Sequence, residues 1–363
     1  MSYERANIAA MTGYSYGEQP GSSDVIKLNT NENPHPPSPA VQAALDAIDV
    51  SSLRVYPSAM GHSLREAVAR HHGVAPEQVV LTHGGDEALR LAMTTFVGPG
   101  DGFGMAEPSY SLYPVLAQVQ DARILRVPLD AAWRLPDDAA SQLNRHGARL
   151  TCLVNPHAPS GVLQPAEPLG TLARALDGVL LLDEAYADFI APEQGYDAVA
   201  LLKRCDNLLI LRTFSKGYSL AGLRLGYLLG NAALIDPIAS KTRDSYNIDG
   251  LSQALGTASI GDQAYAQQVW ARVRQDRDAL RAGLGQLGFT IDPSQTNFLL
   301  AQVPGGQAAT ARQLFDRLRD LQIFVRYFDD ERLANKLRIS VGTADQNQRL
   351  IAALQQLLGE SAV

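Results

Sequence analysis

Between residues 79 and 229 short apolar runs alternate with amphipathic stretches, and this alternation constrains the fold of the 363-residue chain more than any other feature. The runs lie at Val79-Val80-Leu81 and near 101–106, 123–127, 149–154, 178–182, 208–212 and 225–229. Seven strands with helical segments between most of them predict an α/β fold, a mostly parallel sheet covered on both faces. Ligands of such sheets collect outside the carboxyl ends of the strands. Residues 1–37, rich in Gly, Pro, Asn and Ser, read as an extended N-terminal arm. A helix should follow the Ser38 cap and first-turn Pro39, with Val41, Ala44, Leu45 and Ile48 on one face. A long helix from near Asp262 toward Leu287 leads into strands near 297–301, 322–326 and 336–341. The expected division is an arm (1–37), a large domain (38–262) and a smaller α/β C-terminal domain (263–363) completed by the arm.

The polar residues that can carry chemistry sit at the predicted strand ends. After Leu208-Leu209-Ile210-Leu211 comes Thr213-Phe214-Ser215-Lys216-Gly217, with Arg224 eight residues beyond the lysine. A lysine among small polar residues can form a Schiff base with an aldehyde cofactor. The hydroxyls of Thr213 and Ser215, with the Arg224 guanidinium, can hold a phosphate. An isolated Ser-Lys pair is more often a solvated loop. The run Val179-Leu180-Leu181-Leu182 ends on Asp183, and an acid there needs a cationic partner such as a protonated pyridine nitrogen, or else caps the next helix. Tyr186 stands three residues on. Gly84-Gly85-Asp86-Glu87 opens a helix whose N-terminal N–H groups suit an anion. Tyr110, in Pro108-Ser109-Tyr110, can stack on a flat ring or fill the core. Arg338 lies in the apolar strand Leu337–Val341 and Arg326 in Phe324–Tyr327; each needs an anion, from a substrate or from a structural ion pair.

Other features set limits. A net charge of −7 leaves no basic footprint and argues against nucleic acid as a partner. Cys152 and Cys205 form no metal or disulfide pattern and read as small buried hydrophobes. No apolar stretch approaches a membrane span, and the N-terminus has no signal-peptide core, so a cytoplasmic protein is expected. Gly100-Asp101-Gly102-Phe103-Gly104 fails the spacing of a dinucleotide loop and precedes a strand.

Together these residues resemble the fold type I pyridoxal phosphate-dependent aminotransferases, and among them the histidinol-phosphate aminotransferases. The resemblance runs from Asn29–Pro34 to Gly342. It takes in Asn31-Glu32-Asn33-Pro34, Tyr56-Pro57 after Arg54, Gly85-Asp86-Glu87, Pro108-Ser109-Tyr110, Asp183 to Tyr186, Ser215-Lys216 to Arg224, Thr296-Asn297-Phe298 and Arg338 to Gly342. It implies a seven-stranded large domain, pyridoxal 5'-phosphate as cofactor, and ping-pong transfer of an amino group between L-histidinol phosphate and 2-oxoglutarate. Aromatic amino acid aminotransferases and phosphothreonine-type decarboxylases share much of the pattern. By resemblance Lys216 carries the cofactor and moves the proton, Asp183 pairs with the pyridine nitrogen, Tyr186 bonds the phenolic oxygen and Tyr110 stacks on the ring. Gly85, Asp86, Thr213, Ser215 and Arg224 surround the phosphate, and Tyr56 reaches it from the second subunit of a homodimer. Arg338 and Arg326 take substrate anions, with Asn33 and Tyr246 lining the substrate pocket. The chain departs from the family in two places. Where relatives have Asn-Pro-Thr-Gly, Ala158 stands in the place of the asparagine that contacts the phenolic oxygen, so that donor is expected to be missing unless Asn155, the cofactor contact of this loop, or His157 swings in. The arm before Asp24 is also short, and in relatives a longer segment covers the substrate site.

Overall fold

A computed structural model describes residues 3–21 and 24–360; the remaining positions of the expected arm and C-terminal domain lie outside the described residues. Its strands are β1 (Ile26–Lys27), β2 (Val79–Thr82), β3 (Gly102–Glu107), β4 (Arg123–Pro128), β5 (Ala148–Val154), β6 (Val179–Asp183), β7 (Leu208–Thr213), β8 (Gly226–Gly230), β9 (Thr290–Ile291), β10 (Phe298–Gln302), β11 (Ile323–Phe324), β12 (Arg326–Tyr327) and β13 (Lys336–Ser340). The main sheet has seven strands in the order β2-β8-β7-β6-β5-β3-β4, parallel except for β8, which runs antiparallel to both neighbours. Its central strands are unbroken apolar runs because both faces are covered. Leu180, Leu182, Leu208 and Ile210 enter the core on one face, and Leu181, Leu209 and Leu211 the core on the other. Full burial of each such side chain stabilises the fold by roughly 1.5–3 kcal/mol.

A second sheet, β12-β13-β10-β9, is antiparallel and packs its own core. Leu280 and Leu284, from the helix Gln263–Gln286, meet Leu299, Leu337, Ile339, Leu350 and Leu354 there. The arm joins this part of the molecule, since β1 pairs in parallel with β11. Two-residue strands such as β1, β9 and β12 are too short for a period-2 pattern to reveal. The helix Pro39–Asp46 begins as expected, with Ser38 Oγ accepting from Ala40 N at 3.0 Å. Its expected apolar face is only partly inward: Val41 is buried, whereas Leu45 is 46% exposed.

Three strand ends position the site. β6 stops on Asp183, β7 stops on Thr213 ahead of Lys216, and β2 turns through Gly84 into the helix Gly84–Phe96. Gly84 has φ +77, and a Cβ there would lie 2.8 Å from Arg224 Nη2. The left-handed backbone strains any other residue here, and a Cβ would also push the guanidinium aside.

Candidate active site

A cavity of about 810 Å³ opens at these strand ends, and Lys216 lines it. Asn29, Thr30 and Asn31 form part of its wall. Lys216 Nζ donates to Thr30 O at 3.1 Å and stands 5.9 Å from the centre of the Tyr186 ring. Burial pushes the ammonium down to about 8, with Arg338, Arg224 and Lys27 acting in the same sense against Glu32. The lysine is thereby closer to a nucleophilic amine at neutral pH than a surface lysine.

Asp183 is 5% exposed and lines the same cavity. Its Oδ2 accepts from the Tyr113 hydroxyl at 2.9 Å, and its Oδ1 accepts from Ala185 N at 3.1 Å. Burial raises its carboxyl to about 6 against these two donors. A buried acid so held is a ready partner for a ring N–H⁺. Tyr186 and Tyr110 also line the cavity. The Tyr186 oxygen accepts from Asn31 Nδ2 at 3.0 Å, and Tyr110 sets its ring edge-on to Tyr113 and Tyr14.

At one end Gly85, Asp86, Thr213, Ser215 and Arg224 come together. Arg224 Nη2 lies 3.3 Å from Asp86 Oδ2, an exposed pair that leaves the guanidinium free for a stronger anion. Arg224 itself has φ +55, a left-handed conformation that turns its side chain back over the Gly84 corner. Elsewhere on the wall are Arg326 and Arg338, directly opposite each other across the β12–β13 ladder. Arg338 Nη2 donates to Asn29 O at 2.9 Å, and its guanidinium lies 5.4 Å from the centres of the Phe298 and Phe328 rings. Its Nε is buried without a partner, and among the described residues no carboxylate pairs with either arginine. Like charges opposed in a sheet are unfavourable unless an anion sits between them.

Asn155, Asn33 and Tyr246 do not line this cavity, and Tyr56, expected to serve a second subunit's site, lies at the surface of its own chain. Asn155 is committed to its own loop: Nδ2 donates to Gln164 O at 3.0 Å and to the Tyr196 hydroxyl at 2.9 Å, and Oδ1 accepts from Gln164 N at 2.8 Å. Asn33 instead clamps the lysine loop from behind, donating to Lys216 O at 3.0 Å. Tyr56 and Tyr246 stack on each other 4.5 Å apart at the surface, 80% and 45% exposed. Ala158 lines the cavity where the asparagine was expected. His157 does not replace it. Its Nε2 donates to Pro108 O at 2.9 Å, Nδ1 accepts from Ser160 at 2.7 Å, and burial lowers the ring to about 4, so it is neutral. Sequence reasoning missed Tyr113, Thr30 and Asn31. Thr30 and Asn31 lie in the Asn29–Pro34 segment that carries the resemblance, and Tyr113 follows Tyr110 by three residues, in the helix Leu112–Val119 that begins after it.

The donor set fits pyridoxal 5'-phosphate. A lysine amine, a buried carboxylate, a phenol and a cluster of N–H, hydroxyl and guanidinium donors line one cavity. Ser109 Oγ and Arg338 Nε are buried polar atoms at its wall with no partner among the described residues. A polar ligand would satisfy them.

The family described as aminotransferase class I and II matches residues 23–354. Histidinol-phosphate aminotransferase 1 of Trichormus variabilis is 43% identical over 358 residues, which cover 98% of this chain and 99% of that one. The histidinol-phosphate aminotransferase of Syntrophotalea carbinolica is 40% identical over 98% of this chain and 100% of its own length. The crystal structure of the Sinorhizobium meliloti histidinol-phosphate aminotransferase in complex with pyridoxal-5'-phosphate superposes with a TM-score of 0.91 at 27% identity, covering 99% of this chain and 98% of that one.

Proposed function

The chain belongs to the class I and II aminotransferases, and from that premise we propose that it moves an amino group between L-histidinol phosphate and 2-oxoglutarate. It is a pyridoxal 5'-phosphate-dependent transaminase. The observation that carries the substrate reading is the Arg326–Arg338 pair, two unneutralised guanidiniums opposed across one ladder beside Lys216. Such a pair suits a phosphate monoester, which carries close to two negative charges, in one half-reaction and a dicarboxylate in the other.

When bound, the cofactor supplies an aldehyde that carries the amino group and an electron sink for the charge that develops at the substrate α-carbon. The chain's residues do the rest. Lys216 Nζ would hold the cofactor by its amine and, freed by the incoming substrate amine, would be the base that moves the proton from the substrate α-carbon to the cofactor carbon that carries the amino group. Asp183, kept ionised by Tyr113 and Ala185 N, accepts from the ring nitrogen and orients it. Tyr186 would donate to the cofactor's phenolic oxygen, and Tyr110 would hold its ring by stacking. The helix N-terminus at Gly85-Asp86, with Thr213, Ser215 and Arg224, binds the phosphate. Arg338 and Arg326 orient the substrate's anions. The small domain (263–363), with the arm (1–37), closes over the large domain (38–262) and excludes water.

The working form on this reading is a homodimer. Leu53, Val55, Tyr56 and Tyr246 form exposed apolar surface that a second copy would cover, bringing Tyr56 to the partner's phosphate site. Half-reactions of the holoenzyme with a panel of amines, followed by cofactor absorbance, test the function. Histidinol phosphate should react far faster than histidinol, phenylalanine or phosphothreonine. Preference for an aromatic amino acid, or carbon dioxide release without a keto acid, would replace this reading with one of its rivals.

A further inference from the structure

Ala158 leaves the cavity one donor short, and neither Asn155 nor His157 makes up the loss. The remaining donor is the Tyr186 hydroxyl, which has a single proton and can send it in only one direction. Asn31 Nδ2 donates to that oxygen at 3.0 Å. The phenol is thus an acceptor toward Asn31, and its own proton has no acceptor within hydrogen-bond reach among the described residues. It is left for whatever occupies the cavity.

The Asn31 amide is held in this orientation from behind. Asn31 N donates to Ser340 Oγ at 2.9 Å, and the Ser340 hydroxyl returns its proton to Asn31 Oδ1 at 3.1 Å. Turned over, the amide would deprive the buried Ser340 proton of its acceptor. Asn297 Nδ2 donates to Asn31 O at 3.0 Å, and Asn31 is 2% exposed. Its φ of +56 lies in the left-handed region, which asparagine tolerates better than most residues.

We propose that Asn31 is a positioning residue that commits Tyr186 as a one-way donor into the cavity, compensating in part for the asparagine absent at Ala158. A hydroxyl that accepts one hydrogen bond donates its own more strongly. The proposal rests on the reading of Tyr186 as donor to the cofactor's phenolic oxygen. That oxygen, stabilised as an anion, holds less tightly the proton it shares with the lysine nitrogen. Removing Asn31 should therefore raise the pH at which the bound cofactor's absorption changes. Asp183, Lys216, Arg338, Tyr14 and Tyr110 also face the phenol; they stay constant in the comparison below.

The experiment is a spectroscopic pH titration of four holoenzymes: wild type, Asn31→Gly, Tyr186→Phe and the double variant. Glycine keeps the left-handed backbone and removes only the amide. With Tyr186 present, Asn31→Gly should raise the midpoint by roughly 0.5–1 unit, the size of one uncharged hydrogen bond. In the Tyr186→Phe background the same change should move nothing. A midpoint unmoved by Asn31→Gly, or moved equally in both backgrounds, overturns the proposal alone. A midpoint unmoved by Tyr186→Phe overturns the assignment of Tyr186 and the proposal with it. Should Asn31→Gly not retain the cofactor, Asn31→Asp offers Tyr186 an acceptor in place of a donor and must raise the midpoint more with Tyr186 present than in the Tyr186→Phe background, where only the added charge acts; an equal rise in both backgrounds, or no rise, overturns the proposal.

Discussion

Tyr113, from the helix Leu112–Val119, donates its phenol proton to Asp183 Oδ2 at 2.9 Å at the tip of β6, and both side chains are buried. A hydrogen bond to a charged acceptor contributes about 1.5–3 kcal/mol, enough to help keep a carboxylate ionised where burial alone favours the acid. Tyr113→Phe should preserve the fold but weaken the ring-nitrogen pairing, lowering kcat about tenfold to a hundredfold. The same variant should show a shifted cofactor spectrum. Unaltered kcat and spectrum would leave Tyr113 a packing residue.

Asp183→Asn should be far more damaging. The protein should still bind cofactor, yet lose several orders of magnitude in rate, because a neutral amide no longer holds the ring nitrogen protonated. A rate within about tenfold of wild type, a loss of only ~1.4 kcal/mol, would argue against the pairing.

Lys216→Ala should abolish turnover while leaving a folded protein. The lysine also sets a pH dependence. Its folded-state value near 8 lies below that of an ordinary lysine, so the free amine appears as pH rises through about 8. Covalent capture of cofactor by the cofactor-free protein should therefore accelerate with pH and level off above that value. An inflection near 10.5, the ordinary lysine value, would show that burial does not tune the amine.

Arg338→Ala should harm substrate binding much more than cofactor binding, since the guanidinium faces Arg326 rather than the phosphate cluster. With histidinol phosphate the loss in kcat/KM should greatly exceed the loss with histidinol. Equal losses on the two amines would return Arg338 to a structural role.

Ala158→Asn should restore the second donor on the phenolic oxygen, because Asn155 and His157 are bound elsewhere and leave the place open. The absorption midpoint of the variant should fall below that of wild type. An unchanged or raised midpoint would mean that another group already occupies the position.

The seven-stranded sheet, the strand-end placement of Asp183, Lys216 and Gly85, and the aminotransferase chemistry were legible in the linear chain. Strand periodicity, glycine-opened helices and a lysine among hydroxyls are local patterns, set by residues within a few positions of one another. What only the tertiary structure decided involves residues far apart in sequence. Arg326 and Arg338 became a pair through the β12–β13 register, and Tyr113 met Asp183 across 70 residues. Asn31 reached Tyr186 because β1 binds the arm to β11, while Asn33, two residues later, turned to the lysine backbone instead of the substrate. Asn155 was a candidate to replace the asparagine missing at Ala158, yet its amide was drawn to Gln164 and Tyr196. A buried amide must satisfy every donor and acceptor it has, and which partners lie within 3 Å of it is a property of the folded chain alone.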